Sequence, residues 1–299
     1  MSLEQVSANT MFGGKQLKLK HTSSTLNCDM IFSVYLPPQA ESVNVPVIYW
    51  LSGLTCTDDN FVQKAGAQQF AAEAGVAIVC PDTSPRGEDI PDDPEGAYDF
   101  GLGAGFYVNA TQAPWSSHYH MYDYVTKELP EVLAGSDLPL DTNNCSIMGH
   151  SMGGHGALTI ALKNPGTYKA VSAFAPICSP INCPWGEKAL GNYIGDDKTA
   201  WEEYDSCALI GKAQEKLHIL IDQGQDDDFL RGQLKPVMLQ QACHDAGHPL
   251  TLRFHAGYDH SYFFMASFIE DHVNHHAAAL WGWQGREEGE RRKEEGVTL

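Results

Sequence analysis

The chain has 299 residues and carries 19 Lys and Arg against 38 Asp and Glu, which gives a formal net charge of −19. Its hydrophobic fraction of 43% supplies enough apolar side chains for a sizeable core, and this excludes intrinsic disorder over most of the length. So acidic a protein lacks the basic face needed to bind nucleic acid or an anionic membrane. We therefore expect a folded protein of one or two domains that binds neither.

Targeting segments and cysteines indicate the compartment. The N-terminal residues contain no apolar core like that of a secretory signal, and no run approaches the about 18 apolar residues of a membrane span. The eight cysteines are too few for a disulfide scaffold, and the chain has no CxxC pair. We therefore expect reduced thiols, no zinc ribbon and a cytoplasmic protein.

Seven apolar runs predict buried strands, since most are continuous rather than alternating, as in a strand covered on both faces. They occupy residues 30–36, 45–51, 76–80, 145–149, 170–174, 217–221 and 250–255. Helices are predicted between or after them at 61–74, 117–133, 153–163, 234–246 and 262–280. Pro130 should kink or end the second helix. This alternation predicts an α/β protein with a mostly parallel central sheet and helices on both faces.

Two segments differ from the rest in composition. Residues 82–99 hold seven acidic residues, three prolines and a single base, Arg86, which predicts a long, structured and solvated loop. Residues 285–299 hold four Lys or Arg and five Glu with almost no apolar side chain. We predict a single domain over residues 1–284 and a charged, disordered tail over 285–299.

The strongest local motif is a G-x-S-x-G, Gly149-His150-Ser151-Met152-Gly153, which follows an apolar strand and opens a helix. In that context the serine lies on a sharp turn, and the glycines give room for its strained backbone. A helix N-terminus also stabilises developing negative charge. We predict that Ser151 is a nucleophile, the alternative being a chance match in a glycine-rich chain.

A serine nucleophile needs a base, and the base needs an orienting acid. His260 is the favoured base, because it follows a predicted strand through a glycine turn and precedes an apolar helix. Six competing downstream histidines are weaker candidates because they lie at helix ends, in a strand or on one helix face, namely His244, His248, His255, His272, His275 and His276. A metal site formed by the last three would lack a carboxylate at ligand spacing, so no metal is expected.

The orienting acid should follow the strand predicted at residues 217–221. The segment there offers Asp222, Asp226, Asp227 and Asp228, and position alone does not choose among them. The alternative is that all four are solvated loop carboxylates. Because Phe229 is expected to anchor the next helix, Asp228 is also a candidate helix N-cap.

An oxyanion hole needs a second backbone N–H besides that of Met152. In this class of fold a small-residue turn after an early central strand supplies it, and here that turn follows residues 45–51. We predict the N–H of Leu54 as this donor. An ordinary loop with Asp58 or Asp59 as helix N-cap is the alternative, and both interpretations can hold together.

Several long motifs occur together in the chain. They are LSGLTCTDDNF at 51–61, DTSPRG at 82–87, GAGFYVNAT at 103–111, GHSMGGHGAL at 149–158, FAPICSP at 174–180, CPWG at 183–186 and GYDHSYFF at 257–264. With them the chain resembles the S-formylglutathione hydrolase, or esterase D, family over roughly residues 5–280. The resemblance implies an α/β-hydrolase fold and a cytoplasmic homodimer without a cofactor. It also implies hydrolysis of S-formylglutathione to formate and glutathione, which completes glutathione-dependent formaldehyde detoxification.

The resemblance also assigns residues. The family's serine and histidine correspond to Ser151 and His260, and its Q-G-x-x-D pattern corresponds to Asp227 as the acid. Its oxyanion donors correspond to the backbone of Leu54 and Met152. A non-catalytic cysteine near the family's active site corresponds to Cys56, whereas the charged tail departs from the family pattern.

Two other functions compete with this one. The first is a general carboxylesterase of the same fold that acts on small acyl esters. The second is a catalytically inactive hydrolase-fold protein that only binds ligands. The presence of Ser151, His260 and the acidic loop counts against the second.

Overall fold

The computed structural model describes residues 3–282 of the chain. The strands in this part are β1 (Glu4–Met11), β2 (Gly14–Ser23), β3 (Cys28–Leu36), β4 (Val45–Leu51), β5 (Ala77–Pro81), β6 (Leu140–His150), β7 (Tyr168–Phe174), β8 (Ile219–Gly224) and β9 (Leu250–His255). The helices are α1 (Asp58–Lys64), α2 (Ala67–Ala74), α3 (Met121–Asp123), α4 (Leu129–Ala134), α5 (Met152–Lys163), α6 (Pro184–Tyr193), α7 (Lys198–Trp201), α8 (Ser206–Ile210), α9 (Pro236–Ala246) and α10 (Tyr262–Leu280). The predicted tail, residues 285–299, lies outside the described residues.

Within residues 3–282 the strands form one sheet in the order β1-β2-β3-β5-β4-β6-β7-β8-β9. Neighbours from β5 to β9 are parallel, whereas β1, β2 and β3 pair antiparallel. Helix α10 packs against α2, β6 and β7, and α5 packs against β6, β7 and α8. The prediction of a mostly parallel sheet covered by helices is confirmed.

Two strands at the N-terminal edge of the sheet were not predicted from the sequence. Strand β1 is exposed along nearly its whole length, and β2 mixes buried and exposed positions. Neither therefore forms the continuous apolar run on which the strand predictions depended.

The helix predicted at residues 61–74 is divided into two. Gly66 adopts φ +69° and separates α1 from α2. The predicted N-caps, Asp58 and Asp59, are wrong. Thr57 is the N-cap, because its Oγ1 accepts from the N–H of Asp59 at 3.3 Å and its own N–H donates to Asn60 Oδ1 at 2.9 Å. Asp58 is instead the first residue of α1, and its buried carboxylate accepts from Ser33 Oγ at 2.7 Å.

The helix predicted at 117–133 starts later and passes through Pro130. It comprises α3, a π-helical turn over Tyr124–Glu128, and α4, in which Pro130 occupies the first turn. A proline has no N–H to donate to the preceding turn, so the wider turn takes up the irregularity. Of the two predicted effects of Pro130, a kink or an end of the helix, the end is wrong, since α4 continues to Ala134.

The acidic segment at 82–99 is less solvated than predicted. Its first residues, Asp82, Thr83 and Ser84, are at most 5% exposed, and only the later part lies at the surface. Arg86 Nη2 lies 2.8 Å from the Asp82 carboxylate, so the segment's single base neutralises its buried acid.

None of the described helices is both long enough and apolar enough to cross a bilayer.

Candidate active site

Ser151 lies on the turn between β6 and α5 in a backbone conformation that L-residues rarely adopt, with φ 57° and ψ −117°. Three hydrogen bonds hold it there. Its N–H donates to the carbonyl of Phe174 at 3.0 Å, and its carbonyl accepts from the N–H of Ile177 at 3.1 Å and of His155 at 3.0 Å. The surrounding backbone therefore compensates the strain and fixes the position of the serine.

The two glycines of the motif permit a close approach of backbones. A Cβ on Gly149 would collide with the backbone of Gly153, and one on Gly153 would collide with the carbonyl of Leu51. A Cβ on Gly53 would come within 3.1 Å of the Ser151 Cβ. The first turn of α5 can therefore lie directly against the end of β4, which brings the turn after β4 beside the serine.

His260 meets a carboxylate on the loop that follows β8. Its Nδ1 donates to Asp227 Oδ2 at 2.5 Å, and Asp227 Oδ1 accepts from the N–H of Phe229 at 2.8 Å. A Cβ on Gly224 would collide with the carbonyl of Tyr258, so a glycine at this position lets the His260 loop pass close to β8. Asp227 is 6% exposed, which shields its bond to His260 from water.

The other three candidate acids have different surroundings. Asp226 and Asp228 are exposed. Asp222 lies inside β8 rather than in a solvated loop, fully buried, and its carboxylate accepts from Arg253 and His272. The N-cap prediction for Asp228 is wrong, because the side chain that accepts from the N–H of Phe229 is that of Asp227.

Ser151 and His260 line one cleft of about 190 Å³. Its walls are formed by the turn after β4 and by aromatic side chains, and they include Leu54, Cys56, Tyr98, His150, Trp185 and Phe229. Within residues 3–282 Ser151 Oγ makes no side-chain hydrogen bond, and in ligand-free sites the hydrogen bond between nucleophile and base is often long and shortens only when substrate binds. The structure thus brings Ser151, His260, Leu54 and Cys56 together in one cleft, with Asp227 behind the histidine.

The turn that carries Leu54 is held by residues whose function the sequence did not reveal. Thr55 adopts φ +67°. The carbonyl of Cys56 accepts from Arg86 Nη2 at 3.1 Å and from Thr83 Oγ1 at 2.5 Å. The buried start of the acidic segment therefore fixes the candidate oxyanion turn. The signal in the sequence that could have indicated this contact was Arg86, the single basic residue in a segment with seven acidic residues.

Met152 is the first residue of α5 and follows Ser151 directly. The N–H groups of a first helical turn have no partner within the helix, so the N–H of Met152 is free to donate to a ligand. Leu54 lines the same cleft as Ser151. This arrangement can offer two N–H groups to one developing oxyanion.

Cys56 is half-buried in the cleft wall. Burial raises the pKa of its thiol, although a hydrogen bond with Tyr262 and the positive charge of Lys64 act in the opposite direction. Little of the reactive thiolate is therefore present at neutral pH.

His150 is a buried neighbour of His260 that the motif analysis left without a function. The two imidazole rings lie 4.4 Å apart between centroids. Burial, followed by the charge on His260, holds the pKa of His150 well below its usual range. His150 therefore stays neutral and does not add a second positive charge beside His260.

The histidines of α10 serve a buried hydrogen-bond network. His272 Nε2 donates to Asp222 Oδ2 at 3.2 Å, and its Nδ1 accepts from Ser172 Oγ at 2.8 Å. His276 Nε2 donates to the same Ser172 oxygen at 2.8 Å. In the described part of the chain no cluster of three His, Cys, Asp or Glu has the geometry of a metal site. These side chains link α10 to β7 and β8.

Comparisons with known proteins agree on one family. The Esterase family matches over residues 23–275. The S-formylglutathione hydrolase of Arabidopsis thaliana is 56% identical over 93% of this chain and 98% of its own length, and that of Rattus norvegicus is 53% identical over 94% and 99%. The structure of an S-formylglutathione hydrolase from Agrobacterium tumefaciens superposes with a TM-score of 0.90 at 49% identity, covering 92% of this chain and 99% of that one. The chain therefore has the α/β-hydrolase fold and belongs to the Esterase family, within its S-formylglutathione hydrolase branch.

Proposed function

We propose that the protein is a serine thioesterase that hydrolyses S-formylglutathione to formate and glutathione. The observation that carries the proposal is the contact of Asp227 with His260 beside a cleft that also contains Ser151. Relatives that are 53–56% identical over nearly the whole chain bear the name of this activity. A protein that only binds ligands would not require an acid aligned with a histidine behind a strained serine.

The proposed reaction has two steps. In the first, His260 takes the proton of Ser151 as Oγ attacks the thioester carbonyl, and Asp227 holds the Nδ1–H of the imidazole and stabilises the imidazolium. The tetrahedral intermediate collapses, the C–S bond breaks, and the glutathione thiolate leaves and takes up the proton held by His260, so that a formyl-serine and a neutral imidazole remain. In the second step His260 takes a proton from water, the hydroxyl attacks the formyl carbon, and formate leaves as Ser151 regains its proton.

The oxyanion of each tetrahedral intermediate would accept from the backbone N–H groups of Leu54 and Met152. Support comes from the fixed geometry on both sides of the serine. The Cys56 carbonyl is held by Arg86 and Thr83, and Met152 begins a helix whose first turn packs against β4. Donors that are fixed before the reaction need no reorganisation as charge develops.

The cleft favours a small acyl group. Its volume of about 190 Å³ must accept the acyl group together with the adjoining part of glutathione, and aromatic side chains limit its expansion. A formyl group has no carbon beyond the carbonyl, so we expect hydrolysis to slow as the acyl chain grows. A general carboxylesterase would tolerate larger acyl groups.

The cellular setting of the proposed activity is the one that the family resemblance implies. We propose a cytoplasmic homodimer that acts without a cofactor and completes glutathione-dependent formaldehyde detoxification. We also propose one catalytic domain over residues 1–284, which the single sheet across residues 3–282 supports. These assignments can be tested by fractionation, by sedimentation and by proteolysis.

The activity is tested by measuring formate release from S-formylglutathione at steady state. We expect the kcat/KM for this thioester to exceed that for p-nitrophenyl acetate. A fluorophosphonate probe should label the wild type, whereas Ser151→Ala should fold normally, resist labelling and lose activity by several orders of magnitude. Activity of Ser151→Ala within tenfold of wild type would contradict a serine mechanism.

A further inference from the structure

A buried amide lies directly behind the carboxylate that contacts His260. Gln223 is the penultimate residue of β8 and is fully buried. Its Nε2 donates to Asp227 Oδ2 at 3.1 Å and to the carbonyl of Gly224, also at 3.1 Å. The carbonyl of Gly224 and the ionised carboxylate of Asp227 can only accept hydrogen bonds. The amide nitrogen of Gln223, and not its oxygen, must therefore face them.

The oxygen that Gln223 contacts is the one that also contacts the histidine. Asp227 Oδ2 accepts from both Gln223 Nε2 and His260 Nδ1, while Oδ1 accepts from the N–H of Phe229. The carboxylate is therefore held by three donors, one at the end of β8, one in the loop that follows β8 and one in the loop before α10. Rotation about its Cβ–Cγ bond would misalign all three bonds, so Gln223 helps to set the plane of the carboxylate.

The other end of the same amide is unfavourable for stability. Gln223 Oε1 is buried and has no hydrogen-bond partner among the described residues. A methionine of similar length would fill the space without burying an unpaired oxygen. Stability alone therefore gives little reason for a glutamine here, and unsatisfied polar groups of this kind often mark functional sites.

We propose that Gln223 is a positioning residue for catalysis, whose amide N–H holds the Asp227 carboxylate where the Nδ1–H of His260 points at it. The proposal depends on the functions proposed above for Asp227 and His260. Gln223 lies beneath the cleft and does not form its wall, so it acts through Asp227 rather than on substrate. Hydrogen-bond partners behind metal-ligating side chains typically alter activity by about 10- to 100-fold when removed, and we expect a loss of the same order here.

Gln68 provides a matched control. It is 2% exposed, its Nε2 donates to the carbonyl of Val62 at 2.7 Å and to Gln16 Oε1 at 3.2 Å, and its Oε1 is likewise unpaired. It lies on α2, and the cleft wall does not include it. Gln68→Met therefore removes a similar amide without touching the candidate active site.

The test compares Gln223→Met with Gln68→Met. We expect Gln223→Met to lower kcat by about 10- to 100-fold with KM unchanged, and by the same factor for S-formylglutathione and p-nitrophenyl acetate. The far-downfield proton NMR signal of the His260 Nδ1–H should shift or disappear in this variant only. Gln68→Met should keep the wild-type kcat and signal.

Two more variants make the test decisive. Gln223→Glu places a carboxylate against Asp227 Oδ2 and should lose at least as much kcat as Gln223→Met, which gives a second measurement if the methionine variant does not fold. A folded Gln223 variant with the kcat and NMR signal of Gln68→Met would overturn the proposal. If Asp227→Asn also kept the wild-type kcat, the function of Asp227 itself would be wrong. A low kcat for Asp227→Asn with an unaffected Gln223→Met would refute only the positioning by Gln223.

Discussion

Three consecutive aspartates differ in their surroundings, because only one of the side chains points at His260. Asp227 is buried against the imidazole, whereas Asp226 and Asp228 are exposed. Consecutive side chains of a loop diverge, so a shift of one residue would place the carboxylate in water. Which of the three aspartates contacts the histidine therefore depends on the direction of each side chain.

The first prediction concerns this choice. Asp227→Asn should lower kcat by roughly a thousandfold or more, because an amide at this position disturbs the tautomer and the charge that the imidazole needs. Asp226→Asn, the matched neighbouring control, should lower it by less than about tenfold, since an exposed carboxylate contributes little. Steady-state kinetics with thermal melting checks both. If only Asp226→Asn showed the large loss of kcat, the orienting acid would be Asp226 and not Asp227.

The second prediction concerns the thiol in the cleft wall. Iodoacetamide should inactivate the enzyme by blocking the cleft at Cys56, slowly at neutral pH and faster as the pH rises, because burial raises the pKa of this thiol. Cys56→Ser should remain active and become resistant. Cys28→Ser changes another half-buried thiol and should stay sensitive. If Cys56→Ser were inactivated as fast as wild type, inhibition would have another cause.

At the scale of elements, the candidate oxyanion turn depends on a segment that is distant in sequence. Arg86 donates both to the carbonyl of Cys56 and to the carboxylate of Asp82. The segment between β5 and α3 therefore holds the turn between β4 and α1. A change at Arg86 should act on the position of the Leu54 N–H without altering the serine or the histidine.

The third prediction tests this link. Arg86→Met should lower kcat by about 10- to 100-fold, because a displaced backbone donor stabilises the oxyanion less well. The change in KM should be small. The matched control is Arg231→Met, since Arg231 is exposed and does not line the cleft. Equal kcat values for the two variants would mean that Thr83 alone is sufficient to hold the turn.

For the whole molecule, buried histidines make stability depend on pH. Burial lowers the pKa of His155 and of His275 to about 4, and it lowers the pKa of His276 well below the usual range. In an unfolded chain these side chains bind protons near pH 6.5. Between about pH 6.5 and 4 the unfolded state therefore binds more protons than the native state, and stability must fall as the pH falls.

The fourth prediction gives the size of this effect. At pH 5, His155 and His275 should each lower the free energy of unfolding by about 2 kcal/mol relative to pH 7.5. Asp222 adds to the loss in stronger acid: burial alone would raise its pKa, but hydrogen bonds from His272 and Arg253 hold it below the usual range. Urea titrations at pH 7.5, 6 and 5 should show a falling midpoint. A midpoint that stays constant to pH 5 would contradict this account.

A replacement of the exposed His244 provides the control for this effect. His244→Ala should leave the slope of stability against pH nearly unchanged, because this side chain is exposed in the folded protein as it is in the unfolded chain. His155→Gln should lower overall stability, but it should reduce the slope of the free energy of unfolding against pH by the equivalent of up to one bound proton. A steeper slope in His155→Gln would exclude His155 as a source of the pH dependence.

Much of the architecture could be predicted from local pattern. Continuous apolar runs predicted the strands from β3 to β9, since a strand buried on both faces must be apolar throughout. The helix at Tyr262–Leu280 has the predicted bounds. Strands β1 and β2 could not be found in this way, because β1 is exposed and stabilised by pairing with its neighbour, and β2 mixes buried and exposed positions instead of forming a continuous apolar run.

The sequence by itself determined the fold class and the places of Ser151 and His260, because a strained turn and its glycines leave a local signature. The resemblance added Asp227, which spacing alone left among four candidates. Only the tertiary structure decided that Asp222 is buried in β8 with Arg253, that Arg86 holds the turn after β4, and that Gln223 lies behind Asp227. Each of these contacts joins residues from different turns or strands, and the direction of a side chain across such a gap depends on how the whole sheet packs.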